Sequence, residues 1–120
     1  QQLPETVDVH EDLYTYMAEI IGLTHEDHRT EVGVSPRGLQ RLFEASRARA
    51  VIEGRSYVTP GDIKQISGAV LAHRLVLTPE AQVNEVDKKA VIDEILDEVP
   101  VPTIEGQEAG GGGGVEAEAE

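Results

Sequence analysis

Two dipeptides, Ser35-Pro36 and Thr59-Pro60, constrain the fold of this chain more than any other feature, because each sets a hydroxyl residue directly before a proline. A Ser or Thr at a helix N-cap accepts from the free N–H groups of the first turn. A proline at the next position has no N–H to leave unpaired and already holds a helical φ. Each dipeptide therefore marks a helix start. Behind the first, Leu39, Leu42, Phe43, Ser46 and Ala50 recur at helical spacing, and Gly54 is placed to close the helix in the left-handed region. Behind the second, Asp62 stands at the third helical position and completes an approximate capping box, while Ile63, Ile66, Val70 and Leu71 make the apolar stripe. Gly61 and Gly68 each cost this helix about 1 kcal/mol relative to Ala, so it depends on packing.

Two more helices flank these. From Glu11 to Leu23, the residues Leu13, Tyr16, Met17, Ile20 and Ile21 form one apolar stripe, with Glu11 and Asp12 in the first turn where the helix dipole favours acids. Gly22 weakens its end, and the aperiodic polar stretch 24–31 reads as a loop. From Val86 to Glu98, the buried candidates are Ala90, Val91, Ile95, Leu96 and Val99, with Pro100 and Pro102 as the stop. Val7 and Val9 suggest a short extended connector, and Leu75-Val76-Leu77 runs apolar up to Thr78-Pro79, where the chain ends an element or turns. No segment long enough to build a sheet remains. The expectation is an all-α fold, a small four-helix bundle over residues 11–102, preceded by a connector at 1–10. Residues 103–120, with five consecutive Gly, five Glu and no basic residue, read as a disordered acidic Gly-rich tail.

Composition excludes several functions. Without cysteine there is no disulfide, no thiolate metal site and no cysteine nucleophile. No run approaches the roughly 18 apolar residues of a membrane span, and the N-terminal residues lack the basic and apolar regions of a signal peptide. A cytoplasmic protein without a membrane partner is expected. The net charge of −13, from 23 acidic and 10 basic residues, opposes general affinity for phosphate backbones. The Thr59-led helix carries Lys64 as its one basic residue, so DNA binding by that helix is not expected. Charge is nonetheless uneven: Arg37, Arg41, Arg47, Arg49 and Arg55 face only Glu44 and Glu53 across that segment, a local basic stretch in an acidic chain. It reads either as a face for one anionic partner or as arginines paired with neighbouring acids.

The chain holds no G-x-x-x-x-G-K-[ST] phosphate loop, no G-x-G-x-x-G and no H-E-x-x-H, and the glycine run at 110–114 has neither the strand nor the helix that would make it cradle a phosphate. His25 and His28 beside Glu26 and Asp27 could approach a metal, but a polar loop without supporting hydrogen bonds is a poor site. His73, near a helix C-terminus, fits a favourable charge on the dipole. Arg37 stands apart. It lies in the first turn of a helix, where the dipole and free N–H groups already repel a cation, so either an acid such as Glu31 pairs with it or the turn holds an external anion, for which phosphate is the common reason.

The stretches Val34-Ser35-Pro36-Arg37-Gly38, Leu39 to Arg49, Glu53-Gly54-Arg55-Ser56-Tyr57-Val58-Thr59-Pro60-Gly61-Asp62-Ile63 and Ala72-His73-Arg74-Leu75-Val76-Leu77 occur in this order. Together they resemble the C-terminal lid of MoxR-type AAA+ ATPases, over residues 9 to 102. The resemblance implies a bundle of the AAA+ lid type in which Arg37 is the sensor 2 arginine, reaching the phosphates of ATP held by the core, with Ser35 and Pro36 aiming it. It implies that ATP and Mg are bound mainly by a core missing from this chain, so that the chain alone does not hydrolyse ATP. It further implies homo-oligomeric rings, hexameric, that remodel or mature client proteins, with von Willebrand factor A-type domain proteins among the partners. A stand-alone helical interaction module without a nucleotide role is the alternative.

Overall fold

The computed structural model describes residues 7–103, so residues 104–120 of the expected tail and 1–6 of the connector lie outside the described residues. Helix α1 spans Glu11–Glu26. The His10 ring accepts the Asp12 N–H at 3.0 Å, and Glu11 and Asp12 occupy the first turn. Its buried residues, Leu13, Tyr16, Met17, Ile20, Ile21 and Thr24, follow the expected stripe and extend it by one turn. The helix therefore passes Leu23 and takes in part of the stretch read as a loop. Gly22 is exposed with nothing near it, and Thr24 is fully buried, its hydroxyl donating to the Ile21 carbonyl at 2.6 Å, so packing of the last turn outweighs the glycine.

The rest of that stretch is a strand, β1, Thr30–Val32, which pairs antiparallel with β2, Val76–Leu77, through Thr30↔Leu77 and Val32↔Val76. The expectation of no sheet is corrected here. Strands of three and two residues carry no readable alternation, and the paired Val32 and Val76 are both exposed, so neither signals a core face. Asp27 and Arg29 fix the turn into β1: the Asp27 carboxylate accepts from the Arg29 backbone N–H, Nε and NH2 at 2.8–2.9 Å, and Arg29 NH1 reaches Glu94 at 2.8 Å.

Helix α2, Pro36–Ile52, begins where Ser35-Pro36 marks it and buries Gly38, Leu42, Ser46 and Ala50. At its end Gly54 takes φ +78°, its N–H bonding the Val51 carbonyl and the Arg55 N–H bonding that of Ala50, a Schellman closure. Helix α3, Pro60–Leu71, has the full capping box between Thr59 and Asp62. Asp62 is 1% exposed and accepts both Arg55 guanidinium nitrogens at 2.7 Å as well as the Thr59 N–H at 2.8 Å. The N-terminal segment runs beside this turn: the Asp8 N–H bonds the Ser56 carbonyl, the Val58 N–H bonds that of Asp8, and Val7 is buried.

After α3 a single 3₁₀ turn, Ala72–Arg74, leads to β2. Thr78-Pro79 then starts a helix rather than only ending one: α4, Pro79–Val83, is capped by the Thr78 hydroxyl on the Ala81 N–H. Helix α5 spans Lys88–Glu98 and buries Val91, Ile92, Ile95 and Leu96, with Ala90 only half-buried. The described fold thus has five α-helices and a small sheet in place of four helices. Helix α1 packs on α2 and α5, and α3 packs on the same two, around Leu13, Met17, Ile20, Leu42, Ile63, Leu71, Ile92 and Ile95. No helix among the described residues is long and apolar enough to cross a membrane.

Replacing Arg55 with Met removes the two-pronged partner of a buried carboxylate and leaves it only Arg49, at 3.6 Å, which should cost about 3 kcal/mol and lower the thermal midpoint by roughly 10 °C or more, read by circular dichroism. The Arg29 hydrogen bonds hold the Asp27 carboxyl down at about 2. A depressed folded-state pKa gives stability that is full above the ordinary Asp value and fades as pH falls toward 2. Wild-type protein should therefore lose stability across that window more steeply than Asp27→Asn, in urea titrations at stepped pH.

Candidate functional site

The basic stretch of α2 resolves residue by residue. Arg41 pairs with Glu44 at 3.4 Å, one turn along the helix. Arg49 lies 3.6 Å from both Glu53 and Asp62, Arg55 binds Asp62, and Arg47 lies over the Phe43 ring at 5.7 Å. These arginines are used inside the fold. Arg37 is not: it is exposed, and among the described residues no ion pair or side-chain hydrogen bond reaches it, from Glu31 or any other acid.

Its surroundings are those of an uncompensated helix N-terminus. The first turn of α2 has no acidic residue, and the exposed Ser35, although at the N-cap with φ −76° and ψ 170°, makes no side-chain capping bond. The sequence led to the expectation that Ser35 caps; its hydroxyl instead remains available beside Arg37. Pro36 sits at the first helical position and contributes no N–H. A guanidinium, a free hydroxyl and the positive end of a 17-residue helix thus meet at one exposed turn.

The turn is held from behind by residues whose role was not legible in the sequence. Val34, fully buried, precedes Ser35, and both its peptide groups are bound by the last turn of α1: its N–H donates to Thr24 Oγ1 at 3.0 Å, and its carbonyl lies 2.7 Å from His25 Nε2. With a carbonyl acceptor, that ring nitrogen carries the proton. The His25 ring also lies against Gly33. His25 is thus a structural hydrogen-bonding residue on a helix, not a side chain of a solvated loop. Gly38 completes the support. Its position is buried, and a Cβ there would collide with the Val34 side chain, so only glycine lets α2 start this close to the chain before it. Once α1 is known to reach Glu26, Thr24 falls on the stripe at Leu13, Tyr16, Met17, Ile20, and that spacing was the signal available.

For a metal, the described residues gather no group of three or more His, Asp or Glu side chains. What the turn can do chemically is bind an anion with one planar, permanently charged fork and a hydroxyl.

A family model described as the AAA lid domain matches residues 23–95. The uncharacterized protein YeaC of Bacillus subtilis is 34% identical over 102 residues, pairing 85% of this chain with 32% of that protein. The chaperone MoxR1 of Mycobacterium tuberculosis is 30% identical over 113 residues, pairing 87% with 30%. Protein MoxR of Paracoccus denitrificans is 44% identical over 71 residues, pairing 58% with 21%. A solved structure from Cytophaga hutchinsonii, described as an ATPase, superposes with a TM-score of 0.75 at 29% identity, covering 82% of this chain and 32% of that one. The chain spans about a third or less of the length of the relatives it matches.

Thr24→Val should leave the Val34 N–H buried without an acceptor, at a cost of about 1–3 kcal/mol. Urea unfolding reads that loss, and amide exchange at Val34 should speed up relative to the α5 core amides.

Proposed function

The chain belongs to the AAA lid-domain family, as the lid of a MoxR-family AAA+ ATPase, and from that premise we propose that Arg37 is the sensor 2 arginine acting on ATP held by the core of the same polypeptide. The observation that carries this reading is the state of Arg37: exposed in a helix first turn, without a carboxylate among the described residues, while Arg41, Arg49 and Arg55 of the same stretch are all ion-paired. In a chain of 23 acidic and 10 basic residues, an arginine kept clear of every acid among the described residues is placed for an anion brought from outside.

The chain's own groups would act as follows. The Arg37 guanidinium donates to phosphate oxygens and opposes the charge that spreads over the transferred phosphoryl group. Pro36 and the clamped Val34 fix the backbone that carries it, and Ser35 offers a hydroxyl on the same side. Mg belongs with the core, which would supply the acidic ligands that hold the cation, and the cation would offset the charge of the triphosphate. Since one side of the nucleotide is held by the core and the other by this domain, ATP joins the two, and loss of the γ-phosphate frees the lid to move.

The wider reading follows the relatives, one of which is named a chaperone. The whole protein would work in the cytoplasm as a homo-oligomeric ring, a hexamer, that remodels or matures client proteins with von Willebrand factor A-type domain partners. An interaction module built on the basic face of α2 has less support, because that face is already paired internally.

With this lid joined to its core, Arg37→Ala should lower ATP turnover by about 10²–10³-fold, as for loss of a transition-state charge partner. The thermal midpoint should not move, since no ion pair or side-chain hydrogen bond ties Arg37 to the fold among the described residues. Phosphate release and calorimetry are the measurements, and equal turnover would remove the sensor role.

A further inference from the structure

The β1–β2 ladder brings two distant parts of the chain together at the arginine turn. Val32 pairs with Val76, so the segment after β1 that leads to Arg37 runs antiparallel to the segment before β2 that contains Arg74. An independent contact agrees: a Cβ built at Gly38 would lie 3.4 Å from Arg74 Cδ, so the Arg74 stem crosses the first turn of α2 at Gly38, the residue that follows Arg37 in the chain.

The head of Arg74 is tethered without being neutralised. Its Nε–H donates to the Val70 carbonyl at 3.2 Å, which orients the planar fork. Among the described residues no carboxylate pairs with it, and no protein acceptor is recorded for its two terminal nitrogens. The side chain is half-buried. Arg37 in the first turn of α2 and Arg74 lying against that turn thus both lack a carboxylate partner among the described residues of a strongly acidic chain. Covering Gly38 explains the stem alone, since any long unbranched side chain would do that. The fork is left with four N–H groups to donate, and like charges gathered at a helix N-terminus raise the energy of the site unless an anion occupies it.

We propose that Arg74 is a second arginine for the phosphate chain of the nucleotide, binding it jointly with Arg37. The proposal rests on the reading of Arg37 as the sensor arginine and extends it: the lid grips the phosphates with two forks, one from the first turn of α2 that follows β1 and one from the 3₁₀ turn that precedes β2. The sheet then has a functional reason, since β1 and β2 set the spacing of the pair.

The test uses the intact ATPase carrying this lid, with phosphate release measured across ATP concentrations for wild type, Arg37→Ala and Arg74→Met. Met keeps an unbranched stem over Gly38 and removes the fork. The expected result is a fall in kcat/KM of about tenfold or more for Arg74→Met with an unchanged thermal midpoint. Kinetics like wild type for Arg74→Met, beside a large loss for Arg37→Ala, overturn the proposal and leave the Arg37 reading standing. Wild-type kinetics in both variants remove both. If Arg74→Met unfolds, Arg74→Gln takes its place, being neutral but still able to donate to the Val70 carbonyl, and the same outcomes decide.

Discussion

The carboxylate of Asp62 is the interaction on which most of this fold depends. It is almost wholly buried, and it closes the capping box of α3 while receiving the fork of Arg55 from beyond the end of α2. A charge in that position is tolerable only because cation and backbone donors surround it. The arrangement in turn dictates where the chain between the two helices must run, with Gly54 reversing direction so that Arg55 faces back toward α3. The Val58 and Asp8 backbone bonds are laid over this turn. The course of the chain between α2 and α3 is thus held by one acid as well as by apolar packing.

How far the sequence disclosed the fold depends on the range over which each signal acts. The starts of α2 and α3 were legible because a hydroxyl, a proline and an acid act within four residues, and the structure places both helices where those residues point. The sheet was not, since Thr30–Val32 and Val76–Leu77 are held by pairing across more than forty positions and their valines face solvent. Helix α4 is a five-residue helix set by Thr78 and Pro79, too short for any periodicity. At the site, Arg37 stood out through its local conflict with the helix dipole. Thr24, His25 and Arg74 did not, because what defines them is a neighbour from another element: the Val34 peptide for the first two and Gly38 for the third.

The acidic composition also takes on meaning only with the arginines located. Arg29 ties the α1 turn to α5 through Asp27 and Glu94, and Arg49 and Arg55 close on Asp62, so much of the positive charge serves cohesion. Surface pairs such as Arg41–Glu44 add little, being exposed and screened. Against this background Arg37, exposed in a first turn of α2 that holds no acidic residue, is a local basic point on an acidic body, and the excess acid elsewhere discourages contact with extended polyanions.

Because both peptide groups of Val34 are fastened to α1 and Pro36 has a fixed φ, the backbone under Arg37 has little slack. Helix α2 then behaves as a lever. Its 17 residues make an arm of about 25 Å, so a rotation of the domain by some 10° about the far end sweeps the first turn through about 4 Å. That stroke exceeds the range over which a hydrogen bond survives. For the phosphate contact proposed for Arg37, a modest tilt would thus be enough to make or break it.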